Sequence, residues 1–438
     1  MTFATRMVVL LINIPTSVII ARTLGASGQG IYFTAILFTS IFSFITLMGM
    51  DAAYTYFISG RRYPVAQVVA QGMATIILLT AIAAPVYLVF VEIYGVSVKG
   101  WLQAAMVPAV VLIPIGLAKW VGMAFLVGLE DIRRFNLLTL LSTILLLCLV
   151  SLALLVLGMR VKAAVAAYAV SESFYVVAAM LSVAKKTGWS SLRPSFNKEI
   201  WRESFIYGMK GHIGNVMVQL VYRFDTFLIV YFLGIAHQGY YSIAVLLAEK
   251  LSHLPNSIQI VLFPRVSAMN REQANLVTPR VVRTTLLIMV LGGLALGAAS
   301  EFLILLFYGR KFLPALPAMR LLLPGVVALS VFKILASDMS GRNKRTQVSI
   351  AAAAAFTINA ILNFVLIPRW GMYGAAVASS IAYAVQSAVL VVFFVRVSGV
   401  GAMSLLIPKL EDVPHYSRWI RETFEGLRTR IPSRDPGG

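Results

Sequence analysis

Eight charged side chains lie inside long apolar stretches of this 438-residue chain: Lys119, Glu172, Arg223, Asp225, Glu249, Lys250, Arg320 and Lys333. A charge in the hydrocarbon region of a membrane costs about 2.5–3.5 kcal/mol on insertion scales, so each needs a partner, a cavity or a ligand. Five of the eight are cations and three are anions. A cationic lumen suits an anionic ligand such as a pyrophosphate, which Arg and Lys hold by charge-assisted hydrogen bonds. Lys119, Arg223, Lys250, Arg320 and Lys333 are therefore the candidate binding residues. Asp225, Glu172 and Glu249 are candidates for coupling or gating, because a carboxylate in a low-dielectric site can hold a proton near neutral pH. Lys210 and Glu301 lie nearer the ends of their stretches, where long side chains snorkel to the interface.

Spacing refines these roles. Arg223 and Asp225 stand two residues apart in VYRFDTF, so on a helix they point about 200° apart and each needs its own partner. An ion pair that only fixes helix packing is the competing use for both. Lys119, in IPIGLAKWVG, has no acid nearby in sequence and is the best isolated candidate for a phosphate, with an interhelical partner as the alternative. Arg320 and Lys333 are thirteen residues apart, roughly 20 Å by helix rise. That separation suits stepping sites at different depths, Lys333 being the weaker of the two. His212 and His253 read as polar helix contacts rather than proton relays. The single cysteine, Cys148, sits in LLLCLV and reads as a packing residue.

Enzymatic patterns are missing. The chain has no G-x-x-x-x-G-K-[ST] loop, no H-E-x-x-H, no clustered Cys and His and no paired aspartates. Its six aspartates are scattered. ATP hydrolysis by this chain alone is disfavoured, and no cofactor or metal is expected.

The elements that must carry these charges are membrane spans. Hydrophobic residues make up 59%, charged residues 12%, and mean hydropathy is +0.86; a soluble domain carries about 25% charged residues. Apolar stretches long enough to span fall near 4–21, 30–49, 65–91, 101–127, 135–157, 162–184, 205–232, 238–264, 282–307, 313–337, 347–367 and 372–396. Even-numbered connections carry sixteen Lys and Arg against seven on odd-numbered ones, which places both termini in the cytoplasm. The net charge of +20 is then largely topology, and its dispersal among short loops argues against nucleic-acid binding. The first apolar stretch reads as an uncleaved signal-anchor.

The chain also repeats itself. LGASGQGIYFTAIL at 24–37 returns as LGIAHQGYYSIAVL at 233–246, an offset of 209. Gly158-Met159 and the AAVA at 163–166 return as Gly371-Met372 and the AAVA at 375–378. Six spans per half make the repeats parallel, with equivalent helices running in the same direction. The expected fold is an all-α polytopic membrane protein, about twelve helices in two parallel-repeat six-helix bundles around a central cavity. The expected organisation is an N-terminal lobe at 1–184, a cytoplasmic linker at 185–204, a C-terminal lobe at 205–397 and a basic tail at 398–438. In the tail, Tyr416, Ile420, Phe424, Leu427 and Ile431 fall on one face among arginines. That pattern suits either an amphipathic helix on an anionic leaflet or a partly disordered basic tail. Prolines inside spans, such as Pro15, Pro85, Pro114, Pro255 and Pro324, allow kinks.

Several segments resemble one known family. They are ARTLGASGQGIY at 21–32, RFDTFLIVYFLGIAHQGYYSIA at 223–244, LFPRVSAM at 262–269, GRNKR at 341–345 and LNFVLIPRWGMYGAAVASSIAYA at 362–384. In order and spacing they resemble the Wzx-like polysaccharide flippases of the multidrug/oligosaccharidyl-lipid/polysaccharide exporter (MOP) superfamily. The resemblance covers essentially residues 1–397. It implies two lobes with alternating access and a polyprenyl-pyrophosphate-linked oligosaccharide moved from the inner to the outer leaflet of a bacterial or archaeal cell membrane. It also implies that Arg223 and Asp225 are functionally sensitive. Glycosyltransferases and a polysaccharide polymerase are partners by analogy only. The related lipid II flippases carry arginines within their first helix and two more C-terminal helices. Here Arg6 and Arg22 flank the first span and a tail follows the twelfth, which disfavours the peptidoglycan branch.

Two other readings compete. A cation-coupled drug exporter of the same superfamily would need an acidic or aromatic cavity, against the excess of interior Lys and Arg. A non-transporting scaffold would not need unpaired interior charge. The short exterior loops leave no room for the catalytic surface of a membrane glycosyltransferase.

Overall fold

The structure, a computed structural model, describes residues 2–97 and 106–407. Its regular elements, among the described residues, are all helical. In chain order they are α1 (Thr2–Leu47), α2 (Met50–Ser59), α3 (Val65–Ser97), α4 (Leu112–Gly128), α5 (Ile132–Ser151), α6 (Val161–Thr187) and α7 (Lys198–Leu233). They continue as α8 (Ile235–Ala248), α9 (His253–Ala268), α10 (Arg271–Phe307), α11 (Ala315–Gly341), α12 (Arg345–Ser398) and α13 (Ala402–Leu406).

Nine segments of the described chain are long and apolar enough to cross a membrane. Two of these contain a break. α1 turns at Gly25 (φ 66°, ψ −173°) and α12 at Gly371 (φ 60°, ψ −143°), so each is two helices. A further apolar stretch is divided between α8, a 3₁₀ turn at Glu249–Ser252, and α9. The long helices of the described residues are consistent with the twelve stretches read from the sequence, while the short α2 falls on none of them.

The repeat has a backbone counterpart. Gly25 and its echo Gly234 both adopt positive φ, at 66° and 85°, and Gly158 and Gly371 do so at 61° and 60°. Only glycine takes this region without steric cost. Each echoed motif therefore turns the chain in the same way in both halves.

Buried apolar side chains form two principal clusters. One draws on α1–α6, with Ile200, Val230 and Ile235 from the second half. The other draws on α7–α13, with Ala21 from the first half. The halves meet at both ends of the bundle. At one end α1 crosses α8 so closely that a methyl group on Gly30 would overlap the Ile235 carbonyl, and one on Gly239 would overlap the Ala26 carbonyl. The repeated glycines are the contact. Arg22 donates to the carbonyls of Leu306 and Phe307 there, at 2.5 and 2.7 Å. At the other, basic end, a methyl on Gly49 would lie 2.7 Å from the Gly208 carbonyl oxygen. Arg62 pairs with Glu203 beside it at 2.9 Å.

The connection between halves is shorter than the 185–204 read from the sequence. α6 runs to Thr187, and α7 already begins at Lys198, where the Asn197 side chain accepts from the amides of Glu199 and Ile200. The cap satisfies otherwise orphaned N–H groups, so the basic segment starts the spanning helix itself rather than a separate surface helix. The amphipathic stretch 416–431 lies outside the described residues.

Candidate functional site

α7 carries Arg223 and Asp225, and the helix sends them to different places. Arg223 points to Glu249, its two terminal nitrogens meeting the two carboxylate oxygens at 3.1 and 2.9 Å. Asp225 is buried on the opposite side. It accepts from the Tyr241 hydroxyl at 2.5 Å, the Ser379 hydroxyl at 3.0 Å and the Thr226 amide at 2.7 Å. This is the 200° divergence of an i, i+2 pair converted into two separate environments.

Glu249 owes its position to a break in the helix. Pro255 has no N–H to give to the carbonyl four residues back. The ladder yields just before it to the 3₁₀ turn Glu249–Ser252. The turn sets Glu249, Lys250, Ser252 and His253 along the wall of a cavity of about 990 Å³. α7 supplies the facing wall from Met209 to Arg223, α11 supplies residues between Val326 and Ser340, and α12 closes it with the Arg345–Ser349 turn and Tyr383.

The cavity lies in the C-terminal half and runs from mid-helix depth to the basic end. Its ionic lining is five cations, Lys210, Arg223, Lys250, Lys333 and Arg345, against the single carboxylate Glu249. Lys333 is 9% exposed, and its ammonium lies 6.0 Å from the centre of the Tyr222 ring. Tyr222 in turn packs edge-on against Tyr383 at 5.6 Å. Between the deep cations and Lys210 and Arg345 at the basic end, the lining includes the uncharged polar residues Asn215, Asn256, Gln259 and Ser349. Such a surface can hold a compact anion at depth and hydrogen-bonding groups nearer the mouth.

The structure therefore brings together four of the eight residues singled out from the sequence: Arg223, Glu249, Lys250 and Lys333. The other four lie elsewhere. Lys119 meets Glu172 at 2.5 Å in the N-terminal half and lies 5.7 Å from the centre of the Tyr175 ring. Its partner is the interhelical acid that sequence distance concealed. Arg320 donates to Ser300 at 3.0 Å, thirteen residues from Lys333 on α11. Asp225 is in its hydrogen-bonded niche. Lys210 and Arg345, assigned from the sequence to an interface and a loop, line the cavity. The rest of the lining is periodic: Gly211, Asn215, Val218 and Tyr222, then Glu249, Ser252, Asn256, Gln259 and Phe263, form stripes at helical spacing, and neither Lys210 nor Arg345 falls on them. Among the described residues, no group of three or more His, Cys, Asp or Glu is placed to hold a metal.

The profile of a family described as polysaccharide biosynthesis protein matches residues 19–317, well over half of the sequence. The chain belongs to that family. A probable low-salt glycan biosynthesis flippase, Agl15, of Haloferax volcanii is 23% identical over 206 residues, covering 46% of this chain and 43% of that protein. The chain matches less than half the length of the curated relatives it is similar to. Among solved structures, an inward-facing multidrug resistance MATE family transporter of the MOP superfamily superposes with a TM-score of 0.77 at 15% identity. It covers 89% of this chain and 95% of its own. The lipid II flippase MurJ, in an inward closed conformation, superposes with a TM-score of 0.70 at 18% identity, covering 90% and 86%. This family member thus has the fold of multi-pass MOP-superfamily membrane transporters.

Proposed function

We propose that this protein moves a polyprenyl-pyrophosphate-linked oligosaccharide from the inner to the outer leaflet of the cell membrane by alternating access. The observation that carries the reading is the sign of the cavity: five cations against one carboxylate in a space of about 990 Å³. A pyrophosphate brings two or more negative charges and several acceptor oxygens, which Arg and Lys bind with charge-assisted hydrogen bonds. The uncharged polar lining at Asn215, Asn256 and Gln259 offers hydrogen bonds to sugar hydroxyls. Membership of a polysaccharide biosynthesis family and similarity to the Haloferax protein support a glycan-linked lipid as the cargo.

In this reading the basic end is cytoplasmic, so the cavity opens to the side where the lipid-linked glycan is made. The Gly30–Gly239 crossing closes the opposite end. Arg223, Lys250 and Lys333 hold the phosphates. Lys119 and Glu172 fix helix packing in the other half. Glycosyltransferases and a polymerase on either side of the membrane remain partners by analogy.

The test is reconstitution into liposomes with a fluorescent polyprenyl-pyrophosphate glycan, scoring exposure in each leaflet. Wild type is expected to equilibrate or accumulate the probe across the bilayer, and folded Arg223→Ala to lose that movement. Export of a cationic dye with no movement of any glycan would establish a drug exporter instead.

A further inference from the structure

Arg223 faces the cavity already neutralised. Both of its terminal nitrogens are taken by both oxygens of Glu249, which is the fork-to-fork geometry that a phosphate also presents to a guanidinium. Around this pair the charge is unbalanced. Lys210, Lys250, Lys333 and Arg345 line the same space, and none of the four makes an ion pair among the described residues. The one cavity cation with a planar bidentate fork that reaches mid-helix depth is thus the one that is occupied.

Glu249 is also placed to let go. It stands on the 3₁₀ turn, its side chain is 33% exposed, and Arg223 is its one hydrogen-bond partner among the described residues. Asp225 shows what a fixed carboxylate looks like in the same half, with three donors converging on a buried side chain. A Glu249 carboxylate released from Arg223 would remain beside Lys250 and in the field of Lys333.

We propose that Glu249 is an internal anion that occupies Arg223 in the empty cavity and yields it to a phosphate group of the entering ligand. The inference rests on the function proposed above, because it takes this cavity as the phosphate site. It adds a selectivity device. An entering ligand must replace two carboxylate contacts at once, so a group with two or more anionic oxygens on one centre and further charge for the lysines competes well. A lone monoanion competes poorly, and a neutral or cationic compound not at all. A repulsive element of this kind sets specificity by penalising wrong partners.

The experiment is isothermal titration of the full-length protein in lipid nanodiscs with inorganic pyrophosphate, and separately with acetate as a monoanion. Glu249→Gln keeps the side-chain shape and removes the charge. It is expected to bind pyrophosphate at least about tenfold more tightly than wild type, and to acquire acetate binding that wild type lacks. Glu249→Asp withdraws the carboxylate by one methylene and is expected to fall between the two, which decides the matter if Glu249→Gln fails to fold. Unchanged or weaker pyrophosphate binding in the folded Glu249 variants, with wild type binding and Arg223→Ala not binding, would overturn the internal anion and leave the phosphate site standing. Failure of wild type and every Glu249 variant to bind pyrophosphate would overturn both.

Discussion

The two halves of the molecule use interior charge in opposite ways. In the N-terminal half, Lys119 and Glu172 meet one to one at 2.5 Å, with an aromatic ring beside the cation. That pair balances. In the C-terminal half, five cations share a cavity with one carboxylate. A buried pair that balances is a packing device, often replaceable by apolar residues. An unbalanced cluster is costly to hold unless an anion visits it. The halves share repeated motifs, yet the cavity of unbalanced cations described here lies in only one of them.

The comparison breaks most visibly at Lys333. It has no ion-pair partner among the described residues, so Lys333→Met removes no structural contact of that kind. Transfer of the fluorescent lipid-linked glycan is expected to fall about 30-fold, the equivalent of about 2 kcal/mol for a charge-assisted contact. Thermal unfolding of the purified protein is expected to be unchanged or raised. A large fall in melting temperature would show that Lys333 holds the fold instead.

The N-terminal pair should behave in the reverse manner. Glu172→Gln or Lys119→Met alone is expected to cost about 1–3 kcal/mol of stability by stranding the partner, after discounting for the exposure of Lys119. The double variant Lys119→Met with Glu172→Gln is expected to recover most of that loss and to retain transfer within about threefold, since no ligand contact is removed. Transfer abolished in a stable double variant would place this pair in the transport cycle.

Asp225 sharpens the contrast, because it is a fully bonded carboxylate in the unbalanced half. Asp225→Asn is expected to lower stability by about 1–2 kcal/mol through weakened bonds to Tyr241 and Ser379, with transfer largely kept. Loss of transfer in a folded Asp225→Asn protein would give Asp225 the coupling role that its sequence position suggests.

The smallest effect lies outside the spans. Asp131 caps α5 by accepting from the Arg134 amide at 3.2 Å, and it pairs with Lys186 at 2.7 Å. Partial burial raises its pKa, but the Lys186 bond and the Arg134 amide outweigh this and hold it below the usual carboxylate value. A depressed folded pKa means stability that is present above the unfolded value, about 3.9, and lost as pH falls through the folded one. The melting temperature of wild type is therefore expected to drop more than that of Asp131→Asn between pH 7 and pH 3. Equal drops would show that the cap contributes nothing through its charge.

Much of the architecture was legible in the residues. Spans follow from apolar length, because a helix in lipid must satisfy its own backbone hydrogen bonds. The duplication was visible as letters, and the shared positive φ of Gly25 and Gly234 and of Gly158 and Gly371 is the same fact in backbone form. The divergence of Arg223 and Asp225 followed from helical angle alone. Pro255 allowed a kink in span eight, but that the kink takes the form of a 3₁₀ turn at Glu249–Ser252 was not legible.

Which acid meets which base was decided only in three dimensions. Glu172 stands 53 residues from Lys119, and Glu249 stands 26 from Arg223. Ion-pair choice depends on distance between helices that sequence separation does not encode. Four of the eight interior charges proved to share a cavity, while Lys210 and Arg345 joined it from positions that looked peripheral. Likewise, the repeated Gly30 and Gly239 were recognisable as copies, but only the crossing of α1 and α8 makes them touch. The sequence by itself determined the all-helical membrane class, the duplicated frame and the excess of interior cations, since these depend on local periodicity and composition. Tertiary packing determined which of those cations are neutralised and which stay open to a ligand, since Coulomb energy falls with a distance that only the folded bundle sets.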